Sequence, residues 1–294
     1  MALALELFLE IDAAPAAEFS IHATGRNPNI CGGLTRNLLI ETYKSVLAAE
    51  KRQIVPLGLH MRNGIPVGMG CGSSAAVRLA AVALASAFGE LAWDAARIVD
   101  YAVRLEGHPD NAAACLAGGL TIAWNPGTGP RVVRLDPLPA IVPVLCVPAE
   151  SMPTTAARRV LPRTVPHADA AANAGRSALL VAALTRSPDL LFDATQDLLH
   201  EPYRAPLMPA TADLMSRLRG AGIAAVLSGA GPSVLALTVR GETPGPAKVD
   251  SIAGQAGKQW HVSPLDVDRQ GATIASVPPG GRPPNRRNAR TART

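Results

Sequence analysis

The sequence predicts an α+β protein with two lobes, and three features of the pattern indicate this. Short apolar segments of strand character and longer segments of helical periodicity both occur along the 294 residues. They do not alternate strictly as strand, helix, strand, which argues against a doubly wound parallel sheet. The pattern also restarts near residue 138. We therefore predict a first domain at 1–135, a second domain at 136–275 and a disordered basic tail at 276–294.

The elements of the first lobe follow from apolar periodicity. ALELFLEID alternates apolar and acidic side chains, and EFSIHATG follows a turn, so the N-terminal segment predicts strands. In LTRNLLIETYKSVLAAE one helical face carries Leu38, Leu39, Thr42, Val46 and Leu47. VPLGLHMR predicts a short strand. The glycine segment and the helix that follows it are predicted to occupy residue 68 to about 88. A second helix is predicted from about 93 to 107, followed by a strand at 119–124.

The second lobe opens on AIVPVLCVP, an apolar strand bounded by prolines. Helices are predicted in ESMPTTAARRVLP, ANAGRSALLVAALTRS, LLFDATQDLLH and ATADLMSRLRGAG. IAAVLSGAGPSVLALTV predicts a strand, a glycine turn and then either a strand or a helix. QWHVSPLD ends the fold.

Charge and composition argue against several classes of function. The net charge of +5 arises from five arginines in residues 276–294; without them basic and acidic residues are equal at 23 each. Aromatic residues make up 3 %, too few for a stacking surface, so nucleic-acid binding is a remote alternative that rests on the tail. Four scattered cysteines form no CxxC metal pair. No apolar membrane span and no basic signal region occur, so we expect a cytoplasmic protein without membrane or nucleic-acid partners.

The segment PVGMGCGSSAAVRLAAVALASAF, residues 66–88, places glycines and serines directly before a long apolar helix. The first N–H groups of a helix lack internal partners and its dipole is positive there, so anions bind at this end. Glycines let the backbone approach a ligand closely, and a serine hydroxyl can ligate magnesium carried by phosphates. The segment therefore predicts a phosphate loop, with a tightly capped helix as the alternative. It contains neither GK[ST] nor GxGxxG.

Three segments together, IPVGMGCGSSAA, EGHPDN and SGAGPS, resemble the GHMP kinases, which phosphorylate small molecules such as galactose, homoserine and mevalonate. EGHPDN with LSGAGPSVLAL, HEPYRAPLMP and HVSPLDVDRQGA is similar to the homoserine kinases in particular. The resemblance covers residues 2–274. It implies an N-terminal domain like domain 2 of ribosomal protein S5, a ferredoxin-like C-terminal domain, and ATP and Mg²⁺ in the cleft. The implied reaction is phosphorylation of the side-chain hydroxyl of L-homoserine, a step toward threonine.

The resemblance also implies roles for individual residues. ATP contacts are expected at Asn37, Arg62, Pro66, Gly68, Gly70, Cys71, Gly72, Ser73 and Ser74. Cys71 stands where leucine is usual. Ser73, Ser74 and Asp100 form the expected catalytic set. Ser73 and Asp100 are expected to hold Mg²⁺, although glutamate is usual at the second position, eight residues before the histidine.

Substrate contacts are expected at His108, Asp110, Asn111, Arg158 and Arg204, with Arg159 competing for the role of Arg158. Arginine forks suit the carboxylate of an amino acid, and Asp or Asn oxygens suit its ammonium group. The plain alternatives are a loop-capping histidine and solvated arginines at helix ends. A third-motif turn at Ser228, Gly229 and Gly231 is expected to pack beside the phosphate loop.

One part of the family pattern is absent from the sequence. Homoserine kinases usually begin with a segment resembling PASSANLGPGFD, which supplies an edge strand and an Asn and an Asp for the substrate. Here the match starts after it, so either Met1 is an internal methionine or the product is impaired. Two alternatives to phosphorylation of homoserine stay open. One is a GHMP kinase that phosphorylates a different alcohol. The other follows from the missing segment and is a homologue that binds a nucleotide or metabolite without catalysis. A homodimer is a further expectation from the resemblance.

Overall fold

The computed structural model describes residues 1–127, 129–150, 154–257 and 259–275. The predicted tail at 276–294 lies outside them. The strands are β1 (Ala2–Leu3), β2 (Leu9–Pro15), β3 (Ser20–Gly25), β4 (Leu57–Asn63), β5 (Leu120–Trp124), β6 (Arg131–Leu135), β7 (Ile141–Pro148), β8 (Ala224–Leu227), β9 (Val234–Val239) and β10 (Trp260–Pro264). The helices are α1 (Pro28–Gly32), α2 (Leu38–Ala49), α3 (Ser73–Phe88), α4 (Ala95–Glu106), α5 (Pro109–Ala117), α6 (Thr154–Arg159), α7 (His167–Thr185), α8 (Leu191–Ala194), α9 (Glu201–Arg204), α10 (Pro209–Gly220) and α11 (Pro246–Gly254).

The strands of the described residues form three sheets, and the prediction of an α+β fold is confirmed. One sheet has the order β2-β4-β3, in which β3 runs parallel to β4 and β2 antiparallel. A second, antiparallel sheet has the order β1-β5-β6. The third has the order β10-β7-β9-β8 and is also antiparallel. The element that follows the SGAGPS turn, left open between strand and helix, is therefore strand β9.

The first hydrophobic core is built where α2, α3 and α4 pack together over the β2-β4-β3 sheet. Tyr43, Val46 and Leu47 of α2 and Val82 and Ala85 of α3 are fully buried. Small alanines on α3 let the neighbouring helices approach closely, and such dense packing resists movement. This core fixes the direction of α3 and so the position of the glycine loop at its N-terminus.

The last described residues return to the first half of the chain. Val267 forms a β-bridge with Leu5, and the backbone of Asp268 bonds to both Ala4 and Gly119. The N–H of Ala272 donates to the carbonyl of Leu116 at the end of α5. This C-terminal segment is therefore bonded to the chain at the end of α5 and just before β5. The domain boundary predicted at 135/136 stays a prediction.

The predicted helix in LLFDATQDLLH is wrong for most of its length, since α8 ends at Ala194. The side chain of Asp197 explains the break. Its carboxylate accepts the backbone N–H groups of Leu199, His200 and Glu201, at 3.1, 2.7 and 2.7 Å. An aspartate that satisfies backbone donors locally competes with helical hydrogen bonding and favours a turn.

None of the helices in the described part of the chain combines the length and the apolar character required to cross a lipid bilayer.

Candidate active site

The glycine loop before α3 depends on three residues in the left-handed backbone region. Gly68, Gly70 and Gly72 have φ values of 72°, 75° and 74°. Residues with a Cβ adopt this region only at a cost, so the conformation requires glycine. Gly72 is the N-cap of α3 and offers no side chain to the first N–H groups of the helix. These donors, with Ser73 and Ser74 beside them, form an anion-binding end of the helix.

Two other segments of the chain enclose this loop. On one side, Ser228 Oγ donates to the carbonyl of Gly70 at 2.9 Å, so the SGAGPS turn lies against the loop as the sequence predicts. On the other side lies the first turn of α5. The side chain of Asn111 is 3.7 Å from the point where a Cβ on Gly72 would stand. The three motif segments, distant in sequence, therefore meet at one place.

The carboxylate at the mouth of the loop belongs to Glu106, the last residue of α4. Its Oε2 atom accepts a hydrogen bond from Ser74 Oγ at 2.9 Å and pairs with Arg78 Nε at 2.8 Å. The Glu106 side chain is 15 % exposed, so it is reachable yet screened from bulk water. Glu106 was not among the site residues predicted from the sequence. Its signal was its position, directly before the GHPDN segment that closes on the loop.

Asp100, the acid expected from the sequence, is held by arginines of its own helix. Its Oδ2 atom lies 2.9 Å from Arg104 Nη2 and 3.6 Å from Arg97 Nη1. Six residues separate it from Glu106, which on an α-helix means about 9 Å of rise and a turn of roughly 120° away. Within the described residues no contact joins Asp100 to Ser73 or Ser74, so the structure does not bring these three together.

Two of the expected nucleotide contacts already have protein partners. Asn37 caps α2: its Oδ1 accepts from Leu39 and Ile40, and its Nδ2 donates to the carbonyls of Cys31 and Gly33. All of its usual hydrogen-bonding capacity is thereby used. Arg62 lies opposite Glu10 in the β2–β4 pair and bonds to its carboxylate, with Nε at 2.7 Å from Oε2. Pro66 is buried at the entrance to the loop.

The expected substrate residues lie on two sides of the loop. His108 is the exposed N-cap of α5, and Asp110 accepts the N–H of Asn111 at 2.8 Å in the first turn. Arg204 is buried, and its guanidinium donates to the carbonyls of Ala157 and Gly229, at 3.1 and 3.2 Å. It thus ties α6 to the third-motif turn.

Arg158 lies close enough to Arg204 for the two charges to interact. Burial lowers the pKa of Arg204, and the positive charge of Arg158 lowers it further, against the opposite effect of Asp197 and Glu201. Arg158 itself is exposed. Two guanidinium groups that repel one another define a place where an anion such as a carboxylate is stabilised.

Asp197 fixes the short turn that carries Arg204. Burial alone would raise its pKa, but hydrogen bonds from the His200 ring and from the backbone N–H groups of Glu201, Leu199 and His200 hold it far below the ordinary value. Its Oδ1 also accepts from Asn173 at 3.1 Å. The carboxylate is therefore ionised and fully bonded, so it positions α9 and does not act as a base.

We expect Asp197 to make stability depend on pH in the acid range. Its folded pKa is depressed below the ordinary 3.8, so its contribution is complete above about pH 4 and is lost as the pH falls toward the folded value. Between about pH 5 and pH 3 the wild-type chain should lose more free energy of unfolding than Asp197→Asn, measured by urea denaturation. Asp136→Asn is the control, because its partner Arg134 also lowers the pKa of Asp136 but that carboxylate is 64 % exposed and screened. Parallel losses in wild type and Asp197→Asn would contradict this.

The oxygen donors at the loop suit magnesium. Mg²⁺ is commonly held by one or two carboxylates or hydroxyls together with substrate phosphates and waters. Ser74 and Glu106 supply a hydroxyl and a carboxylate 2.9 Å apart beside the anion-binding helix end. In the described ranges, no group of three or more His, Cys, Asp and Glu residues is arranged to hold a metal by itself. The residues thus fit a metal that arrives with a phosphate ligand.

Comparisons with known proteins agree with this geometry. Residues 37–119 match the family described as GHMP kinases N terminal domain, and residues 171–261 match GHMP kinases C terminal. A homoserine kinase from Streptomyces coelicolor is 46 % identical over 242 residues, which are 81 % of this chain and 76 % of that protein. A homoserine kinase from Clavibacter michiganensis is 39 % identical, over 96 % of this chain and 90 % of its own length.

Solved structures give the same result for the fold. The crystal structure of homoserine kinase from Cytophaga hutchinsonii superposes with a TM-score of 0.73 at 23 % identity, covering 91 % of this chain and 89 % of that one. The mevalonate kinase from L. major superposes with a TM-score of 0.65 at 15 % identity, covering 92 % of this chain and 89 % of that one. The chain belongs to the GHMP kinase family, in the branch that contains the homoserine kinases.

Proposed function

We propose that this protein transfers the γ-phosphoryl group of ATP to the side-chain hydroxyl of L-homoserine, giving O-phospho-L-homoserine and ADP. The observation that carries the proposal is the meeting of three groups around one loop. They are the open N-terminus of α3 behind Gly72, the Ser74–Glu106 pair, and the Arg158–Arg204 pair near the third-motif turn. The helix end suits phosphates, the Ser74–Glu106 pair suits a metal, and the arginine pair suits a carboxylate.

Phosphoryl transfer requires positioning and neutralisation of charge more than covalent chemistry. The N–H groups at the start of α3 would bind the phosphates of ATP, and the helix dipole favours the negative charge there. Ser73, Ser74 and Glu106 would hold Mg²⁺, which when bound neutralises negative charge on the phosphates. The third-motif turn at Ser228 keeps the loop in its left-handed shape by its bond to Gly70.

The amino-acid substrate would be oriented by its two charged groups. Arg158 and Arg204 would bind the carboxylate, while the oxygens of Asp110 and Asn111 would accept hydrogen bonds from the ammonium group. His108, exposed at the start of α5, would contact the substrate beside Asp110 and Asn111 of the same helix turn. Positioning of this kind brings the substrate hydroxyl toward the phosphates on the loop.

The direct test is release of ADP from Mg-ATP with and without L-homoserine, using the chain of 294 residues. The expected result is turnover that requires homoserine, with mass spectrometry showing a phosphorylated product. A panel of other alcohols, including mevalonate and galactose, distinguishes this function from that of other GHMP kinases. Turnover with another alcohol in preference to homoserine would refute the proposed substrate, and ATP binding without any turnover would refute the proposed reaction.

Arg158→Gln should raise the KM for homoserine about 10- to 100-fold while the melting temperature stays unchanged. The range corresponds to loss of one hydrogen bond between charged groups, about 1.5–3 kcal/mol. Arg158 is exposed and near the charge of Arg204, so removing it affects the anion site more than folding. Arg159→Gln is the matched control: it is the next residue on α6 and also exposed. A larger effect from Arg159→Gln would reverse the assignment of the two arginines.

A further inference from the structure

We propose that Arg26, at the end of β3, is a phosphate-binding residue of the ATP site, near the part of the glycine loop that carries Cys71. The inference rests on the proposed kinase function and adds to it a residue that none of the three motif segments contains.

The backbone around Arg26 is attached to the chain that leads into the loop. Its N–H donates to the carbonyl of Asn63 at 2.7 Å, and its own carbonyl accepts from Asn63 Nδ2 at 3.0 Å. The side chain of Asn63, which is buried, bonds at the same time to both polar backbone groups of Ile65. One residue further, Asn27 Oδ1 accepts the N–H of Val67, directly before Gly68. The turn at Arg26 and the glycine loop are therefore held in a fixed relation.

The charge of Arg26 reaches the loop itself. Burial raises the pKa of the Cys71 thiol, while hydroxyls of Ser233 and Ser228 and the positive charge of Arg26 lower it. Cys71 lies between Gly70 and Gly72, whose left-handed conformations shape the loop. A guanidinium that acts on this thiol is near the space where the phosphates of a nucleotide would lie.

Arg26 differs from the other sheltered arginines of the described residues. Those that are at least half-buried and have a guanidinium partner are Arg78 with Glu106, Arg176 with Gln196, Arg204 with Ala157, and Arg219 with Glu201. For Arg26, half-buried as well, no ion pair or hydrogen bond of the guanidinium occurs among the described residues. A sheltered cation without a partner is costly unless a ligand supplies the opposite charge.

The loop, for its part, needs a cation. Residues 66–74, PVGMGCGSS, contain no lysine or arginine, and the helix end supplies only about half a positive charge. Other phosphoryl-transfer sites add a lysine or arginine to the backbone cradle and the metal. Arg26 is the half-buried candidate positioned to do this here, and its planar fork suits two phosphate oxygens.

The test compares ATP and adenosine binding by isothermal titration calorimetry in wild type, Arg26→Gln, Arg26→Lys and Arg52→Gln. Arg26→Gln should weaken ATP binding about tenfold or more and leave adenosine binding unchanged, and Arg26→Lys should recover part of the loss. Arg52→Gln, an exposed arginine in the same lobe, should bind both ligands like wild type. Unchanged ATP affinity in Arg26→Gln, or an equal loss for adenosine, would overturn the inference.

Failure of the proposed function gives a different result. A wild-type chain that binds ATP but does not turn over homoserine refutes the kinase reaction, while an ATP-specific loss in Arg26→Gln still supports a phosphate-binding arginine. A wild-type chain that binds ATP no better than adenosine contradicts the inference itself. Melting temperatures of the variants, measured without ligand, separate a binding defect from unfolding.

Discussion

Glu106→Gln should lower kcat for homoserine-dependent ADP release by about 10²–10³-fold, the effect usual for loss of one charge-stabilising group in a transition state. Glutamine keeps the size of the side chain and can still accept a hydrogen bond from Ser74 Oγ. What it removes is the negative charge beside the loop. Residue 106 would then supply no anionic ligand for Mg²⁺, so we also expect the required Mg²⁺ concentration to rise.

Asp100→Asn is the matched control for Glu106→Gln. Both are acids on α4, and both pair with arginines, but Asp100 pairs with Arg97 and Arg104 away from the loop. We expect its activity to stay within a few-fold of wild type and its Mg²⁺ requirement to be unchanged. Steady-state kinetics over a range of Mg²⁺, with circular dichroism to check folding, give the comparison. If Asp100→Asn loses as much activity as Glu106→Gln, the assignment made from the sequence is the correct one.

The contrast between these two acids shows where sequence reasoning reached its limit. The resemblance implied Asp100 as the magnesium-holding acid, because it lies eight residues before the histidine, and that role stays a prediction. In the structure, α4 ends at Glu106, and Gly107, with φ of 77°, turns the chain directly into α5. The helix end brings its final residue to the loop and turns Asp100 away. The sequence placed the end of this helix correctly, at about residue 107, but periodicity does not show which residue of a helix lies against a distant loop.

Other parts of the fold were predictable for clear physical reasons. The periodic apolar faces of α2 and α3 specify long helices, and alternating apolar residues specify β4. By contrast, β6, α1, α5, α9 and α11 were not predicted. They are short, and α5 begins at Pro109 within a segment that was considered for its chemistry alone. The ends of α8 and the turn at Asp197 depend on side-chain hydrogen bonds, which periodicity does not detect.

The meeting of the motifs could be predicted only as a resemblance, because no local property of SGAGPS indicates that it packs on a loop some 158 residues earlier in the chain. The structure supplies the reason. Gly229 and Gly231 have positive φ, and this lets the turn place its backbone against Gly70. The glycines of both segments are therefore needed together for the turn to pack against the loop.

Gly70→Ala should destabilise the folded protein by about 2–5 kcal/mol and abolish detectable ATP binding. A left-handed conformation costs a residue with a Cβ about 1–2 kcal/mol, and overpacking adds roughly 1–3 kcal/mol. The added methyl group would overlap the carbonyl oxygen of Ser228 and lie 2.8 Å from that of Gly231. Both neighbours are backbone atoms, which cannot rotate aside as a side chain can. Relief requires the SGAGPS turn to move off the loop.

Gly107→Ala separates the two parts of this effect. Gly107 has φ of 77°, close to the 75° of Gly70, but nothing lies within 4 Å of its Cβ position. It should therefore lose only the conformational part, about 1–2 kcal/mol, and keep ATP binding. Urea denaturation gives the free energies, and calorimetric titration with ATP gives the affinities. Equal losses in the two variants would mean that backbone strain alone is responsible and that contact between loop and turn is not needed. A larger loss in Gly70→Ala, with ATP binding gone, would mean that the third motif acts by holding the phosphate loop in shape.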